Sequence, residues 1–339
     1  MIEYTPWSQR ELTLAKNAHK EGRLVALDLE VGGECSFSCA YCDSPNRSLR
    51  AVTTAADVRR LVRPNHIRWL YICGLGEPTH PRNRTLLYKC INIARDCGLR
   101  VSLFTNCSGV DERLLSSVAE GVVFLLFKLD SLHPEVIEKV YGIDSGAHML
   151  RKIEKISEYV DFANGYTNIA ASIVPTQLNR EEIGQIATWC VDRNIFPLIG
   201  QLEAAGLGAE AYTDLSLSEP ELWELRHRIE DALESKYSVP MCPAVMGGVH
   251  VNHGGKVVVD RMTGLSCSWF WLKTPDVEVL RDFGAACSWE DIEKDIMSYR
   301  QARVSAVRDV INDLRELPVG GCGGDIVCLL RDYLKLLEG

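Results

Sequence analysis

Three cysteines near the start of the chain have the spacing of a metal-cluster site. They are Cys35, Cys39 and Cys42, in the segment GGECSFSCAYCDSP. Three thiolates this close can each reach a different iron of one four-iron cubane. Because Fe–S clusters usually take four cysteines, one iron would stay open to another ligand. Zinc sites usually show paired cysteine units and four ligands, and buried structural cysteines would not need this spacing. The motif therefore favours a [4Fe–4S] cluster with one open iron.

Six apolar runs must position this cysteine loop, and amphipathic segments alternate with them. The runs are nearly continuous in apolar residues, which is typical of parallel strands that are buried on both faces. The pattern predicts an α/β fold with a partial (βα)6 TIM-like barrel, in which the loops at the carboxyl ends of the strands carry the chemistry. The six runs cover residues 23–31, 69–75, 99–106, 122–130, 169–175 and 195–203.

The pattern changes after about Lys236. A Gly-rich hairpin with a cysteine at each end comes first, and a long helical stretch of roughly Trp289 to Leu317 and a closing helix follow. We therefore predict an N-terminal helical extension (1–22), a barrel core (23–236) and a small C-terminal domain (237–339).

The cysteine motif and its place after the first strand resemble those of radical S-adenosylmethionine (SAM) enzymes. That family commonly has an aromatic residue just before the third cysteine, and Tyr41 occupies this position here. The resemblance implies a barrel core in which the open iron of a [4Fe–4S] cluster binds the amino and carboxylate groups of SAM. The resemblance covers about residues 24–205, and the specific family motifs lie only at residues 35–42 and 74–78.

The second strand ends in a segment that resembles the family's GGEP motif. The residues are Gly74, Gly76, Glu77 and Pro78, with Leu75 inserted between the glycines. The resemblance implies that their backbone and the Glu77 carboxylate hold the SAM amino group. As a bare sequence, Gly-Glu-Pro indicates only a turn, so its position at the end of a strand carries the inference.

Further strand ends supply candidate SAM contacts, with two departures from the family. Asn106 lies in Thr-Asn-Cys, where relatives often have Thr-Asn-Gly. Lys128 replaces a serine and Tyr141 replaces an arginine, so the usual carboxylate and ribose contacts are altered. Lys128 would serve the SAM carboxylate or the substrate, or is a lysine at the barrel mouth with no role. Ser172 and Gln201 are candidates by analogy alone.

A second cysteine group resembles the auxiliary Fe–S domains of the SPASM or shorter twitch type. A full SPASM domain ends in Cys-x2-Cys-x5-Cys-x3-Cys, and only the central x5 pair matches here. The resemblance therefore implies one auxiliary [4Fe–4S] cluster rather than two. Zinc on the same thiolates and buried cysteines without metal are the alternatives. The four residues are Cys242, Cys267, Cys322 and Cys328.

The resemblance implies reductive cleavage of SAM to a 5′-deoxyadenosyl radical that takes a hydrogen atom from a substrate. Only about 22 residues precede the first strand. That leaves no room for a leader-peptide recognition domain and favours a small natural-product precursor such as a sugar, aminocyclitol or nucleoside. A peptide substrate stays open. Molybdopterin-precursor synthesis is disfavoured, because that family ends in Gly-Gly whereas this chain ends in Leu-Glu-Gly.

The fate of the substrate radical distinguishes two reactions. Loss of a second electron to the auxiliary cluster gives oxidation, which we favour and which would make the chain an oxidoreductase. Gain of a hydrogen atom gives epimerisation and needs a thiol near the substrate. Cys287 is the first candidate for that thiol, because it lies in the C-terminal domain but is not one of the four predicted ligands of the auxiliary cluster. Cys107 is the second candidate, because it lies at a strand end.

Composition limits the partners. The net charge of −9 argues against a general nucleic-acid binder, and no run of eighteen apolar residues predicts a membrane span. No signal peptide precedes the fold, so we expect a cytoplasmic protein with reduced thiols. An electron donor such as flavodoxin or ferredoxin would be a partner. A non-enzymatic role in electron transfer or Fe–S assembly is the alternative of another class.

Overall fold

The strands in the described part of the chain are short, and those at the centre of the main sheet are largely buried. A computed structural model describes residues 2–42, 51–62, 67–73, 76–200, 202, 207–234, 242–252, 254–261, 265–266, 277–282, 288–313 and 326–338. The strands in these ranges are β1 (Glu3–Tyr4), β2 (Ala26–Leu29), β3 (Trp69–Ile72), β4 (Arg100–Thr105), β5 (Val123–Lys128), β6 (Phe162–Ala163), β7 (Tyr166–Thr167), β8 (Ile169–Ile173), β9 (Phe196–Ile199), β10 (Gly248–Val251), β11 (Lys256–Asp260) and β12 (Val277–Asp282).

Helices follow most of the strands, as a βα repeat requires. Several begin with a side-chain cap; for example, Ser8 accepts a hydrogen bond from the backbone of Glu11, which satisfies an amide that has no partner within the helix. The helices are α1 (Gln9–Lys20), α2 (Ala55–Val62), α3 (Arg84–Cys97), α4 (Glu112–Ala119), α5 (Pro134–Tyr141), α6 (Gly146–Ser157), α7 (Ile183–Val191), α8 (Leu207–Leu215), α9 (Glu219–Ala232), α10 (Pro243–Gly247), α11 (Trp289–Gln301), α12 (Val304–Asp313) and α13 (Ile326–Glu338).

One nine-stranded sheet organises the described residues, in the order β12-β11-β10-β2-β3-β4-β5-β8-β9. Every pairing from β10 to β9 is parallel, and β11 and β12 add an antiparallel edge. The six predicted apolar runs are β2, β3, β4, β5, β8 and β9. The predicted α/β fold with a partial (βα)6 barrel is therefore confirmed.

Sequence periodicity did not reveal the small sheet of β1, β7 and β6. Its strands have two residues each, which is too short for an alternation of apolar and polar positions to show. The predicted long helix after residue 289 consists of α11 and α12, which are separated by two residues. No helix in the described ranges combines the length and apolar character that a bilayer span requires.

Side chains alternate between the two faces of the sheet. Leu27, Leu29, Leu70 and Ile72 pack in the core that includes residues of the surrounding helices. Trp69 and Tyr71 point to the opposite, concave face of the sheet. There they pack with side chains of neighbouring strands and with residues of α1 and α13. The terminal helices therefore fill part of the barrel interior, and polar residues near the strand ends occupy other positions on that face.

Two charged side chains connect α1 and α11 to other parts of the fold. The Glu11 carboxylate of α1 accepts hydrogen bonds from Trp69 Nε1 (2.8 Å) and Arg68 Nη2 (3.2 Å) at the start of β3. Arg300 of α11 is fully buried, and its Nη1 donates to the carbonyl oxygen of Met246 (2.8 Å). These contacts link helices that are far apart in the chain to one end of the barrel.

A buried imidazole joins β10 to the first barrel strand. His250 Nδ1 lies 3.1 Å from Asp28 Oδ2, and its Nε2 lies 3.3 Å from Glu30 Oε1. Cys73 also contacts the Asp28 carboxylate, at 3.4 Å. Burial lowers the pKa of His250, but the two carboxylates raise it by more, to about 10. The protonated imidazole therefore clamps the C-terminal hairpin to the barrel.

We predict that this clamp contributes a pH-dependent part of the stability. The pKa of His250 rises from 6.5 to about 10 on folding. Its contribution is therefore complete below pH 6.5 and is lost as the pH rises through about 10. Between these values stability should fall by about 1.4 kcal/mol per pH unit. A His250→Gln variant should be less stable at pH 6.5 by about 3–5 kcal/mol, because two buried carboxylates lose their cation.

Anaerobic urea unfolding followed by circular dichroism from pH 6 to pH 10 measures the effect. The control is His148→Gln, a substitution at an exposed position of α6. The difference between the wild type and His250→Gln should shrink with rising pH, whereas His148→Gln should follow the wild type throughout. A difference that does not change with pH would show that His250 is neutral in the fold.

Candidate functional site

The predicted residues of the cluster and SAM site that the structure describes gather at the carboxyl ends of neighbouring parallel strands. The cysteine loop follows β2, Glu77 follows β3, Asn106 follows β4, and Lys128 ends β5. Carboxyl ends of parallel strands lie at one edge of a barrel, where loops from several strands converge. The order of the strands therefore brings these residues together although they are spread over a hundred positions.

The cysteine loop is held by backbone contacts to α5. The amide of Ser38 donates to the carbonyl oxygen of Tyr141 (2.9 Å), and the amide of Ala40 donates to that of Val140 (3.1 Å). The ring of Phe37 stacks on the ring of Tyr141, with centroids 5.4 Å apart. The loop is therefore supported by a helix that begins after β5, and the same Tyr141 stands where relatives have arginine.

All three cysteines of the loop are half-buried, and none is in a disulfide. Cys35 Sγ accepts hydrogen bonds from the amide of Phe37 (3.4 Å) and from Asn106 Nδ2 (3.5 Å). Burial raises the pKa of Cys39 to about 12, and the Lys128 ammonium acts in the opposite direction. The Cys39 thiol also interacts electrostatically with Cys35 and Cys42, so the three sulfur atoms lie near one another.

This arrangement fits a cubane better than a single ion. Among the described residues, no group of three His, Cys, Asp or Glu side chains is arranged to hold one metal ion. In a [4Fe–4S] cluster each thiolate binds a different iron, so the sulfur atoms need not converge on one point. The donor set is also sulfur alone, which suits iron–sulfur chemistry. Cys35, Cys39 and Cys42 therefore fit the cluster that their spacing predicts.

Glycines allow the loops after β2 and β3 to touch. Gly76 has φ +76°, a left-handed conformation that favours glycine. A Cβ added to it would lie 2.4 Å from the carbonyl carbon of Gly33 and 2.5 Å from the oxygen of Gly32. The sequence analysis did not identify Asn83. Its Nδ2 donates hydrogen bonds to the carbonyl oxygens of Glu34 (2.9 Å) and Glu77 (2.8 Å) and so connects the same two loops. Gly74 lies outside the described residues, and Pro78 is buried beside Glu77.

The Glu77 carboxylate is buried and accepts four hydrogen bonds. Its Oε1 accepts from the amide of Thr79 (2.9 Å), from Thr79 Oγ1 (2.6 Å) and from Thr105 Oγ1 (2.6 Å). Its Oε2 accepts from the amide of Asn106 (2.6 Å). Burial raises the pKa of Glu77, and these donors lower it in part. Each carboxylate oxygen has about two acceptor positions. Oε1 accepts three of the bonds and Oε2 accepts one, so Oε2 is the atom with capacity for a further donor.

Four side chains form one network at the end of β5. Lys128 Nζ lies 3.3 Å from Asp130 Oδ2 and 4.4 Å from the centroid of the Tyr41 ring. Tyr41 Oη donates to the same carboxylate oxygen, and the amide of Asp130 donates to Tyr141 Oη (3.0 Å). Burial lowers the pKa of Lys128, but Asp130 and Cys39 raise it by more, so the net direction is upward. The lysine is therefore a buried cation beside the cysteine loop.

Asp130 and Asn179 were not identified as site residues from the sequence. Asp130 Oδ1 accepts from the amide of Val174 (2.7 Å), and Asn179 Nδ2 donates to the carbonyl oxygens of Asp130 (2.7 Å) and Val174 (3.0 Å). The signals for Asp130 were its place at the end of the predicted strand 122–130 and the resemblance of Lys128-Leu129-Asp130 to the Ser-Ile/Leu-Asp of the family. These bonds join the ends of β5 and β8, where Ser172 lies almost fully buried.

Cys107 lies at the end of β4, as expected for a thiol donor, but its side chain is fully buried. Burial raises the pKa of its thiol well above the usual value. Its φ of 67° is left-handed, a conformation that glycine adopts more easily. This matches the glycine of Thr-Asn-Gly in relatives. The role of Cys107 as a hydrogen donor stays a prediction.

The structure describes little of the predicted auxiliary site. Cys242 is fully buried just before α10 and packs in the core with residues of α1. Cys328 lies in α13, and its side chain is outside the described part. The other predicted residues of the C-terminal region and of β9 lie outside the described residues, namely Cys267, Cys322, Cys287 and Gln201. The auxiliary cluster therefore stays a prediction.

The curated proteins that are similar to this chain include a maturase and a cyclase. Mycofactocin maturase MftC of Mycolicibacterium smegmatis is 24% identical over 195 residues, which are 56% of this chain and 48% of that protein. GTP 3′,8-cyclase of Haemophilus influenzae is 26% identical over 184 residues, half of each chain. The chain thus spans about half the length of the curated relatives it matches.

A solved structure resembles nearly the whole chain. Native anSMEcpe with bound AdoMet and Cp18Cys peptide superposes with a TM-score of 0.60, at 14% identity, over 93% of this chain and 97% of that one. At this identity the likeness concerns the fold alone. Residues 29–190 match the family model described as Radical SAM superfamily. That range holds the cysteine loop, Glu77, Asn106 and Lys128, and so residues 29–190 of this chain form a domain of the radical SAM superfamily.

Proposed function

We propose that the chain is a radical SAM enzyme that binds a [4Fe–4S] cluster through Cys35, Cys39 and Cys42. The observation that carries the proposal is the placement of the cysteine loop, the Glu77 carboxylate and the Lys128 ammonium at one edge of the parallel strands. When bound, the cluster and SAM together supply one-electron cleavage of SAM to methionine and a 5′-deoxyadenosyl radical.

The residues of this chain would bind and orient the two cofactors. Glu77 Oε2 would accept a hydrogen bond from the SAM ammonium, and Gly76 and Pro78 would shape the backbone beside it. Lys128 would offer its ammonium to the SAM carboxylate. Asn106 donates hydrogen bonds to both Cys35 and Glu77. It would therefore fix the position of the cluster relative to that of SAM. Ser172 would line the site from β8.

Two classes of substrate remain candidates. We favour oxidation of a small natural-product precursor such as a sugar, aminocyclitol or nucleoside, with a second cluster on Cys242, Cys267, Cys322 and Cys328 as the electron acceptor. Modification of a peptide is the second candidate. The names of the similar proteins support it, since one is a maturase and another has a bound peptide. The name of the similar GTP 3′,8-cyclase supports a small substrate such as a nucleoside.

The first test concerns iron. Anaerobically reconstituted wild-type protein should contain about eight irons if both clusters form and about four if only the first forms. Replacing Cys35, Cys39 and Cys42 together by Ala should remove about four irons and all 5′-deoxyadenosine formation with SAM and dithionite. Cys97→Ala, at a half-buried cysteine of α3, is the control and should keep both. Zinc without iron after anaerobic purification would refute the proposal, and iron without SAM cleavage would favour an electron-transfer protein.

The second test concerns Glu77. A Glu77→Gln variant should keep its iron and bind SAM about ten- to a hundredfold more weakly, because a charge-assisted contact is worth roughly 1.5–3 kcal/mol. Isothermal titration of the reconstituted protein measures the affinity. Thr105→Val is the matched control, since it removes one donor to Glu77 Oε1 and leaves the carboxylate charged. Equal losses of affinity in both variants would mean that Glu77 only holds the loop after β4.

The third test distinguishes oxidation from epimerisation in deuterated water. Oxidation predicts a product two hydrogens lighter by mass spectrometry, without solvent deuterium at the reacting carbon, and loss of activity in Cys322→Ala. Cys287→Ala and Cys107→Ala should then stay active. A product of unchanged hydrogen count that carries one deuterium at an inverted carbon, and is abolished by either thiol substitution, would establish epimerisation instead.

A further inference from the structure

Lys128 lies on the cluster side of the candidate site. It is the last residue of β5, and its side chain is only 12% exposed. Its Nζ lies 4.4 Å from the ring centroid of Tyr41, which directly precedes Cys42, and 5.6 Å from that of Tyr141. The ammonium thus rests on two aromatic rings that belong to the cysteine loop and to its supporting helix.

The position of this ammonium is fixed from several sides. Asp130 Oδ2 lies 3.3 Å from Nζ and also accepts the Tyr41 hydroxyl hydrogen. Asp130 Oδ1 is bound by the amide of Val174 at 2.7 Å. The Asp130 carboxylate is therefore held by the backbone just after β8 and by Tyr41 of the cysteine loop. These contacts restrict the orientation of the Lys128 side chain that pairs with it.

The same ammonium interacts electrostatically with the thiols of Cys39 and Cys42. Its effect on Cys39 is greater than the opposing effect of the Asp130 carboxylate. The geometry therefore places a fixed positive charge beside the cysteine loop, 4.4 Å from the ring centroid of the residue that precedes Cys42. Coulomb interactions are strong at a site with little water, and the potentials of Fe–S clusters depend on charge and solvent exposure around them.

We propose that Lys128, held by Tyr41 and Asp130, raises the reduction potential of the cluster on Cys35, Cys39 and Cys42. The inference rests on the proposed function. One-electron reduction adds one negative charge to the cluster, and an external reductant supplies the electron. A fixed cation stabilises the reduced form more than the oxidised form, so Lys128 would ease reduction before SAM binds. In this role Lys128 acts through its positive charge alone and makes no bond to iron.

The test is a redox titration, monitored by electron paramagnetic resonance, of anaerobically reconstituted protein without SAM. Iron content is measured first. Lys128→Met should lower the equilibrium constant for reduction about tenfold, which is a shift of about 59 mV to more negative potential for one electron. Lys128→Arg should stay close to the wild type, because it restores the charge. Asp130→Asn removes the opposing carboxylate and should shift the potential in the positive direction.

Two outcomes would overturn the inference. One is a Lys128→Met protein with full iron and the wild-type potential, even if its SAM affinity falls, since Lys128 would then serve only the SAM carboxylate. The other is a shift of Lys128→Met and Asp130→Asn in the same direction, which would indicate a loosened loop rather than charge. If Lys128→Met fails to hold iron, the other two variants decide. The inference then requires a potential close to the wild type for Lys128→Arg and a more positive potential for Asp130→Asn, and any other result overturns it. A wild-type protein without iron would refute the proposed function itself.

Discussion

The carboxylate of Asp130 is fully buried and binds groups from three parts of the chain. Its oxygens accept hydrogen bonds from Tyr41 in the cysteine loop and from the amide of Val174 after β8, and they pair with Lys128 of β5. A buried carboxylate is costly unless such partners satisfy it. The loop after β2 and the ends of β5 and β8 must therefore meet at this point, and the geometry of the cysteine loop depends on that contact.

A second buried carboxylate performs a similar task on the other side of the loop. Glu77 binds Thr79, Thr105 and the amide of Asn106, and Asn106 in turn donates to Cys35. The cysteine loop thus lies between two hydrogen-bonded acids, one at the end of β3 and one after β5. Such fully bonded networks restrict the alternatives open to a loop, which is what a site that must hold a cluster requires.

The C-terminal region shares a sheet and a core with the barrel. β10 pairs in parallel with β2, and His250 places an imidazole between Asp28 and Glu30 on the concave face. α13 contributes to the same core as α1. Because these contacts couple the hairpin to the strand that precedes the cysteine loop, changes in the C-terminal region should reach the site through β2.

Much of this arrangement was predictable from local patterns. The cysteine spacing needs only neighbouring residues to place three thiols together, and the continuous apolar runs indicate buried parallel strands because their periodicity differs from that of helices. Family resemblance identified Glu77 and Lys128 by their places at strand ends. The distant partners of Asp130, Glu77 and His250 were not predictable, because a contact between residues that lie from 28 positions apart, as Glu77 and Thr105 do, to the span from Asp28 to His250 leaves no periodic trace. The amino-acid sequence by itself determined the barrel strands and the close spacing of the three thiols, whereas the tertiary structure alone decided which buried charges surround them, since charges pair through the order of strands in space and not through their order in the chain.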